Sequence, residues 1–161
     1  MTSKFLSCQS KCNLYEIMRR FYAENLAAVK AASSLADGAS SRVEFEGDNQ
    51  VYTLIRESGK SILKQGTPES PELYFRFTHA AVHYITDSPP EEIGTIAKRL
   101  IDCLKSTDPS LKVDFKVIAP LGVFHQKGYF KILKLAGVEV PKIFVKHLWI
   151  YMKSKGRRWK E

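Results

Sequence analysis

Residues 72–104, ELYFRFTHAAVHYITDSPPEEIGTIAKRLIDCL, decide how this chain is read. The run LYFRFT (73–78) is aromatic and apolar with Arg76 as its single charge, which suits a sheet strand. A short helical turn is expected over 79–86. Asp87 or Ser88 then opens a second helix, with Pro89 and Pro90 in its first turn and Glu91 at the capping-box offset from Ser88. Along that helix Ile93, Ile96, Ala97, Leu100, Ile101 and Leu104 recur at spacings of one, three and four, leaving Lys98, Arg99, Asp102 and Lys105 on the outer side. A strand feeding a helix with one apolar face requires a sheet for that face to cover.

Upstream, residues 13–35 read as one long helix, with Leu14, Ile17, Met18, Phe21, Ala28, Val29 and Ala32 along one side. ADGASS (36–41) ends it with small residues. Val43 and Phe45 then alternate with Arg42, Glu44 and Glu46, GDNQ turns the chain, residues 51–55 return, and Gly59 turns it again into a strand over 61–64. Together with 73–78 these strands predict an antiparallel meander. Downstream, Val113, Phe115 and Val117 alternate with Lys112, Asp114 and Lys116, the clearest strand pattern in the chain. Residues 119–127 read as a loop, GYFKILKL (128–135) as a strand or a pair of helical turns with strand preferred, and Pro141 as the first residue of a closing helix reaching to about 155. The expected fold is α+β: a mostly antiparallel sheet of five to six strands covered on one face by helices, with long N-terminal and closing C-terminal helices. Residues 1–12 are an N-terminal extension, 13–155 a single domain and 156–161 a basic tail.

A length of 161 residues, 44% hydrophobic and 26% charged, suffices for one ordinary core and excludes a disordered or fibrous chain. No run approaches the eighteen apolar residues of a membrane span, and MTSKFLSCQSK lacks the apolar run of a signal peptide. With three cysteines and no disulfide framework, a reduced cytoplasmic setting is expected. The net charge of +8 is local. Residues 1–126 hold fifteen basic and fifteen acidic residues, whereas 127–161 hold ten and two.

No catalytic motif stands out. Cys8 and Cys12 are four apart but have no matching second pair, so they read as free thiols. His79, His83 and Asp87 share a helical face without the Glu of the HExxH zinc motif, since Ala80 stands there. The carboxylate pairs Glu44/Glu46 and Glu91/Glu92 suit an exposed strand and a helix N-terminus. Cys103 and His125 have no nucleophile motif around them, and no phosphate-binding glycine motif occurs. Hence no enzyme, no metal and no cofactor are expected. The basic end carries the charge excess: Lys142, Lys146, Lys153, Lys155, Arg157 and Arg158 with Trp149 interleaved. Such a pattern suits a solvated helix end, an anionic membrane surface or nucleic acid phosphates.

The order of elements resembles the sterol carrier protein type 2 family of small lipid-binding domains. The residues carrying the resemblance are VEFEGDNQVYTLIRESGKSILKQG (43–66), PELYFRFTHAAVHYI (71–85) and the glycine-led GYFKILKLAG (128–137). The strand at 112–118 and the basic end after Lys153 depart from the family pattern, and the chain closes in WKE instead of the peroxisomal SKL. The resemblance implies a sheet and helices enclosing an apolar tunnel for a fatty acid, acyl-CoA or sterol. Its walls would come from Phe75, Phe77, Ile96, Leu100, Val117 and Phe130, which would equally build a solid core. The alternative is a solid nucleic-acid-associated or protein-interaction module working through its basic segment, with a small hydrolase or isomerase last. The sequence leaves the oligomeric state open.

Overall fold

The computed structural model describes residues 13–87 and 89–137. Cys8, Cys12, Ser88, the expected closing helix and the basic group Lys142, Lys146, Trp149, Lys153, Lys155, Arg157 and Arg158 lie outside the described residues. Five strands build one sheet: β1 (Ser40–Phe45), β2 (Val51–Glu57), β3 (Lys60–Gln65), β4 (Leu73–Phe77) and β5 (Val113–Val117), in the order β3-β2-β1-β4-β5. The β1–β2 and β2–β3 hairpins are antiparallel, as their alternation predicts. The meander ends there. β4 pairs with β1 in parallel and β5 closes the edge antiparallel to β4, so the sheet is mixed. The connection from β3 to β4 carries Pro68 and Pro71, which cannot donate ladder hydrogen bonds and do not form a tight hairpin.

Register and the two-residue period of strands give the sheet two unlike faces. Val43, Phe45, Leu54, Leu63, Phe75, Phe77, Val113, Phe115 and Val117 share the face turned to the helices. Arg42, Glu44, Tyr74, Arg76, Asp114 and Lys116 share the other. On that solvated face Arg42 pairs with Glu44 at 2.7 Å and the Tyr74 hydroxyl donates to Glu44 at 3.1 Å, a structural use of that carboxylate.

Six helices occur among the described residues: α1 (Asn13–Glu24), α2 (Leu26–Ala32), α3 (His79–Thr86), α4 (Ile93–Lys105), α5 (Leu121–Gln126) and α6 (Tyr129–Ala136). The long helix predicted over 13–35 is broken at Asn25, whose backbone is extended. Its side chain accepts from the Ala28 N–H at 3.0 Å and donates to the Pro90 carbonyl at 3.0 Å. An apolar stripe running through both halves conceals such a break, because an N-cap Asn costs the pattern one position only. α4 starts later than the capping-box reading, at Ile93, with extended Glu92 before it and no side-chain cap. Instead Arg99 of α4 donates to the carbonyls of Ile85 and Asp87 (3.1 and 2.6 Å), satisfying the end of α3.

Two further corrections concern the C-terminal part. Residues read as a loop over 119–127 contain α5, and those read as a strand over 128–135 form α6. A short apolar run does not distinguish strand from helix. Gly128 decides the matter: its φ is +88°, and a Cβ there would lie 2.1 Å from the Ser34 carbonyl oxygen. Only glycine lets α6 turn off α5 against that backbone.

The interior has two centres. One gathers Leu14, Met18 and Phe21 of α1, Val82 and Ile85 of α3 and Cys103 of α4 over Val43, Phe45, Phe77 and Val113. The other gathers Ala39, Leu73, Val117, Phe124 and Tyr129. Phe75, in the middle of β4, is only partly buried and packs against both.

Candidate functional site

The seam between the two cores is hollow. A cavity of about 260 Å³ lies between the sheet and the helices above it. Its floor is Leu54, Leu73, Phe75 and Phe115, and its roof is the whole apolar stripe of α4: Ile93, Ile96, Ala97, Leu100, Ile101 and Leu104. α6 supplies Tyr129, Ile132, Leu133 and Ala136, and α2 with the residues after it supplies Ala31, Ala32 and Leu35. Tyr22 and Phe124 complete the apolar wall, and Ser41 and Ser61 are its small polar members.

The void follows from residue size. Ala31, Ala32, Ala97, Ala136, Ser41 and Ser61 all face inward where a solid core would place branched or aromatic side chains. Consistent with this, every residue of the α4 stripe is half-buried, and Cys103, beside the stripe, is the fully buried residue of that helix. Amphipathicity made the stripe legible; that it roofs a void was not.

Hydrogen-bonding groups on the wall are few. The Tyr22 hydroxyl has no hydrogen-bond partner among the described residues, and burial pushes its pKa up to about 12. The Tyr129 hydroxyl donates to Glu72 Oε2 at 3.1 Å, while the Ser40 N–H donates to the same oxygen at 2.5 Å. Burial first, and the Glu72 carboxylate second, raise the Tyr129 pKa. This buried clamp ties α6 to the starts of β1 and β4. It is a positioning device.

Of the six wall residues inferred through the family resemblance, Phe75, Ile96 and Leu100 line the cavity. Phe77 and Val117 are buried in the two solid cores, at 2% and 4% exposure. Phe130 is 37% exposed, with its ring edge against Phe124 at 5.3 Å. A strand reading of 128–135 conceals Tyr129, Ile132, Leu133 and Ala136, whose spacing of one, three and four puts them on one helical face towards the cavity.

The remaining candidates do not assemble into chemistry. His79 and His83 lie with ring centroids 4.7 Å apart, and His83 Nδ1 is 3.7 Å from Asp87 Oδ1. No group of three residues able to hold a metal occurs among the described residues. Cys103 is fully buried; desolvation, with Asp102 contributing, pushes its thiol up to about 11, while His125 is exposed on α5 against Phe130. No helix among the described residues is long and apolar enough to cross a membrane.

No protein-family model matches the chain, and no curated protein matches it. Among solved structures it is similar to one described as "UbiJ-SCP2 Ubiquinone synthesis protein". The similarity has a TM-score of 0.44 at 13% identity and covers 83% of this chain and 95% of that one.

Proposed function

We propose that this chain is a non-covalent carrier of a hydrophobic lipid, with the acyl chain of a fatty acid or acyl-CoA, or a sterol, held in the cavity between α4, α6 and the sheet. The observation carrying this reading is the void itself, bounded almost wholly by hydrocarbon. A guest entering such walls gains its own transfer energy: ten methylenes leaving water gain about 8 kcal/mol. Binding therefore needs hydrocarbon walls and a few polar groups to orient the head.

In the same reading the basic residues Lys142, Lys146, Lys153, Lys155, Arg157 and Arg158, with Trp149, bring the carrier to anionic membrane, each charge near the surface adding about 1 kcal/mol. Native mass spectrometry of the purified protein tests the central claim. The expected result is an excess mass that leaves as an acyl lipid or sterol on denaturation. An empty protein that shifts labelled DNA or RNA in a salt-dependent manner would move the function to the basic segment. Co-sedimentation with phosphatidylserine vesicles, and none with phosphatidylcholine vesicles, is expected for the membrane step.

A further inference from the structure

A buried cation without a partner stands next to the cavity. Arg56 is 8% exposed, lies on the helix-facing side of β2, and its Nε has no hydrogen-bond partner. It makes no ion pair among the described residues. An arginine cannot shed its charge to escape burial, so the enclosed Nε is a charged donor free to take an anionic acceptor.

The position is specific. In the β2–β3 ladder Arg56 is paired with Ser61, and Ser61 and Leu54, two residues back on the same face, both line the cavity. Arg56 Nη2 lies 3.9 Å from the place a Cβ would occupy at Gly59, so the guanidinium reaches towards the β2–β3 turn, beyond the lining residue Ser61, and Arg56 itself stands just outside the cavity lining. A second cation is close: Lys127 Nζ lies 3.4 Å from the corresponding place at Gly38, whose N–H donates to the Arg56 carbonyl at 2.7 Å. The acid of this corner, Asp37, accepts the Gly59 N–H at 3.2 Å and pairs with neither cation.

We propose that Arg56 is the head-group anchor of the cavity, and that the guest is an acyl chain ending in an oxyanion, a carboxylate or a phosphate monoester. This rests on the carrier reading. The tail fills the hollow beneath α4, the oxyanion stands over Ser61, and the guanidinium supplies the charge-assisted donors that no protein acceptor takes up. A neutral sterol or ester would leave Arg56 unpaired.

Fluorescence titration of the delipidated full chain with cis-parinaric acid and with its methyl ester, at pH 8, tests this. The acid is expected to bind at least tenfold tighter than the ester. Arg56→Met should abolish that preference while leaving ester affinity within twofold, and Arg56→Lys should restore part of it. Competition by palmitate against hexadecyl phosphate identifies which oxyanion fits; displacement of the acid by either one supports the anchor. Equal affinity of the unaltered protein for acid and ester overturns the anchor but leaves the carrier, and this comparison needs no variant to fold. A preference that survives Arg56→Met also overturns it. Binding of neither probe removes both readings.

Discussion

Replacing Ala97 by Phe separates a hollow interior from a filled one by the sign of its effect. Ala97 is a half-buried member of the α4 stripe and lines the cavity. In a filled core an added ring forces neighbours off their rotamers and costs about 1–3 kcal/mol. Here the ring enters a void of about 260 Å³. Burying it gains about 2 kcal/mol. Against this stand about 0.5 kcal/mol of lost helix propensity and about 0.5 kcal/mol of side-chain entropy. The net is about 1 kcal/mol of added stability, or roughly 2–4 °C in Tm for a chain of this size. The same ring takes space from a guest. Excluding about four methylenes removes about 3 kcal/mol, close to 100-fold in Kd. Thermal unfolding of the delipidated variant and titration with a fluorescent acyl probe read the two quantities independently. A variant that is destabilised by 1–3 kcal/mol and binds the probe unchanged would show that α4 covers a solid core.

Gly128→Ala places a Cβ 2.1 Å from the Ser34 carbonyl oxygen at φ +88°, so a loss of at least about 2 kcal/mol is expected in chemical denaturation, with α6 detached first. Tyr129→Phe deprives buried Glu72 of a donor and should cost about 1–3 kcal/mol at neutral pH. The alkaline limb carries a second signature. Tyr22 and Tyr129 both have pKa values raised above the ordinary 10.0, so below pH 10 they are neutral in both states and their contribution is fully present. Above pH 10 the unfolded chain loses these protons first, so stability falls; urea midpoints from pH 9 to 11 should fall less steeply in Tyr22→Phe and in Tyr129→Phe. Cys103, its thiol pushed up to about 11, should be silent to a thiol reagent at pH 8 in a Cys8→Ser, Cys12→Ser background and react only on unfolding; rapid labelling of the folded protein would contradict its burial.

What local pattern could reveal follows the range of each interaction. Strands β1, β2, β3 and β5 were readable because alternation is a property of consecutive residues, and the α4 stripe because its helical repeat is long and regular. The break at Asn25 was hidden: the apolar face continues across it, and the bond that holds it reaches Pro90, far along the chain. α6 was misread because an eight-residue apolar run fits both periods, and the Ser34 carbonyl that demands glycine at 128 comes from the other end of the domain.

Sequence alone settled that this chain folds as α+β, that one sheet face is covered by helices, and which side of α4 turns inward, since each depends on near-neighbour periodicity. Tertiary structure decided that β4 runs parallel to β1, that the α4 stripe roofs a cavity, and that Arg56 Nε is enclosed without a hydrogen-bond partner. The reason is physical. A cavity is a sum over side chains from six or more segments that share no sequence neighbourhood, and the small residues at 31, 32, 41, 61, 97 and 136 acquire meaning only when the fold sets them face to face.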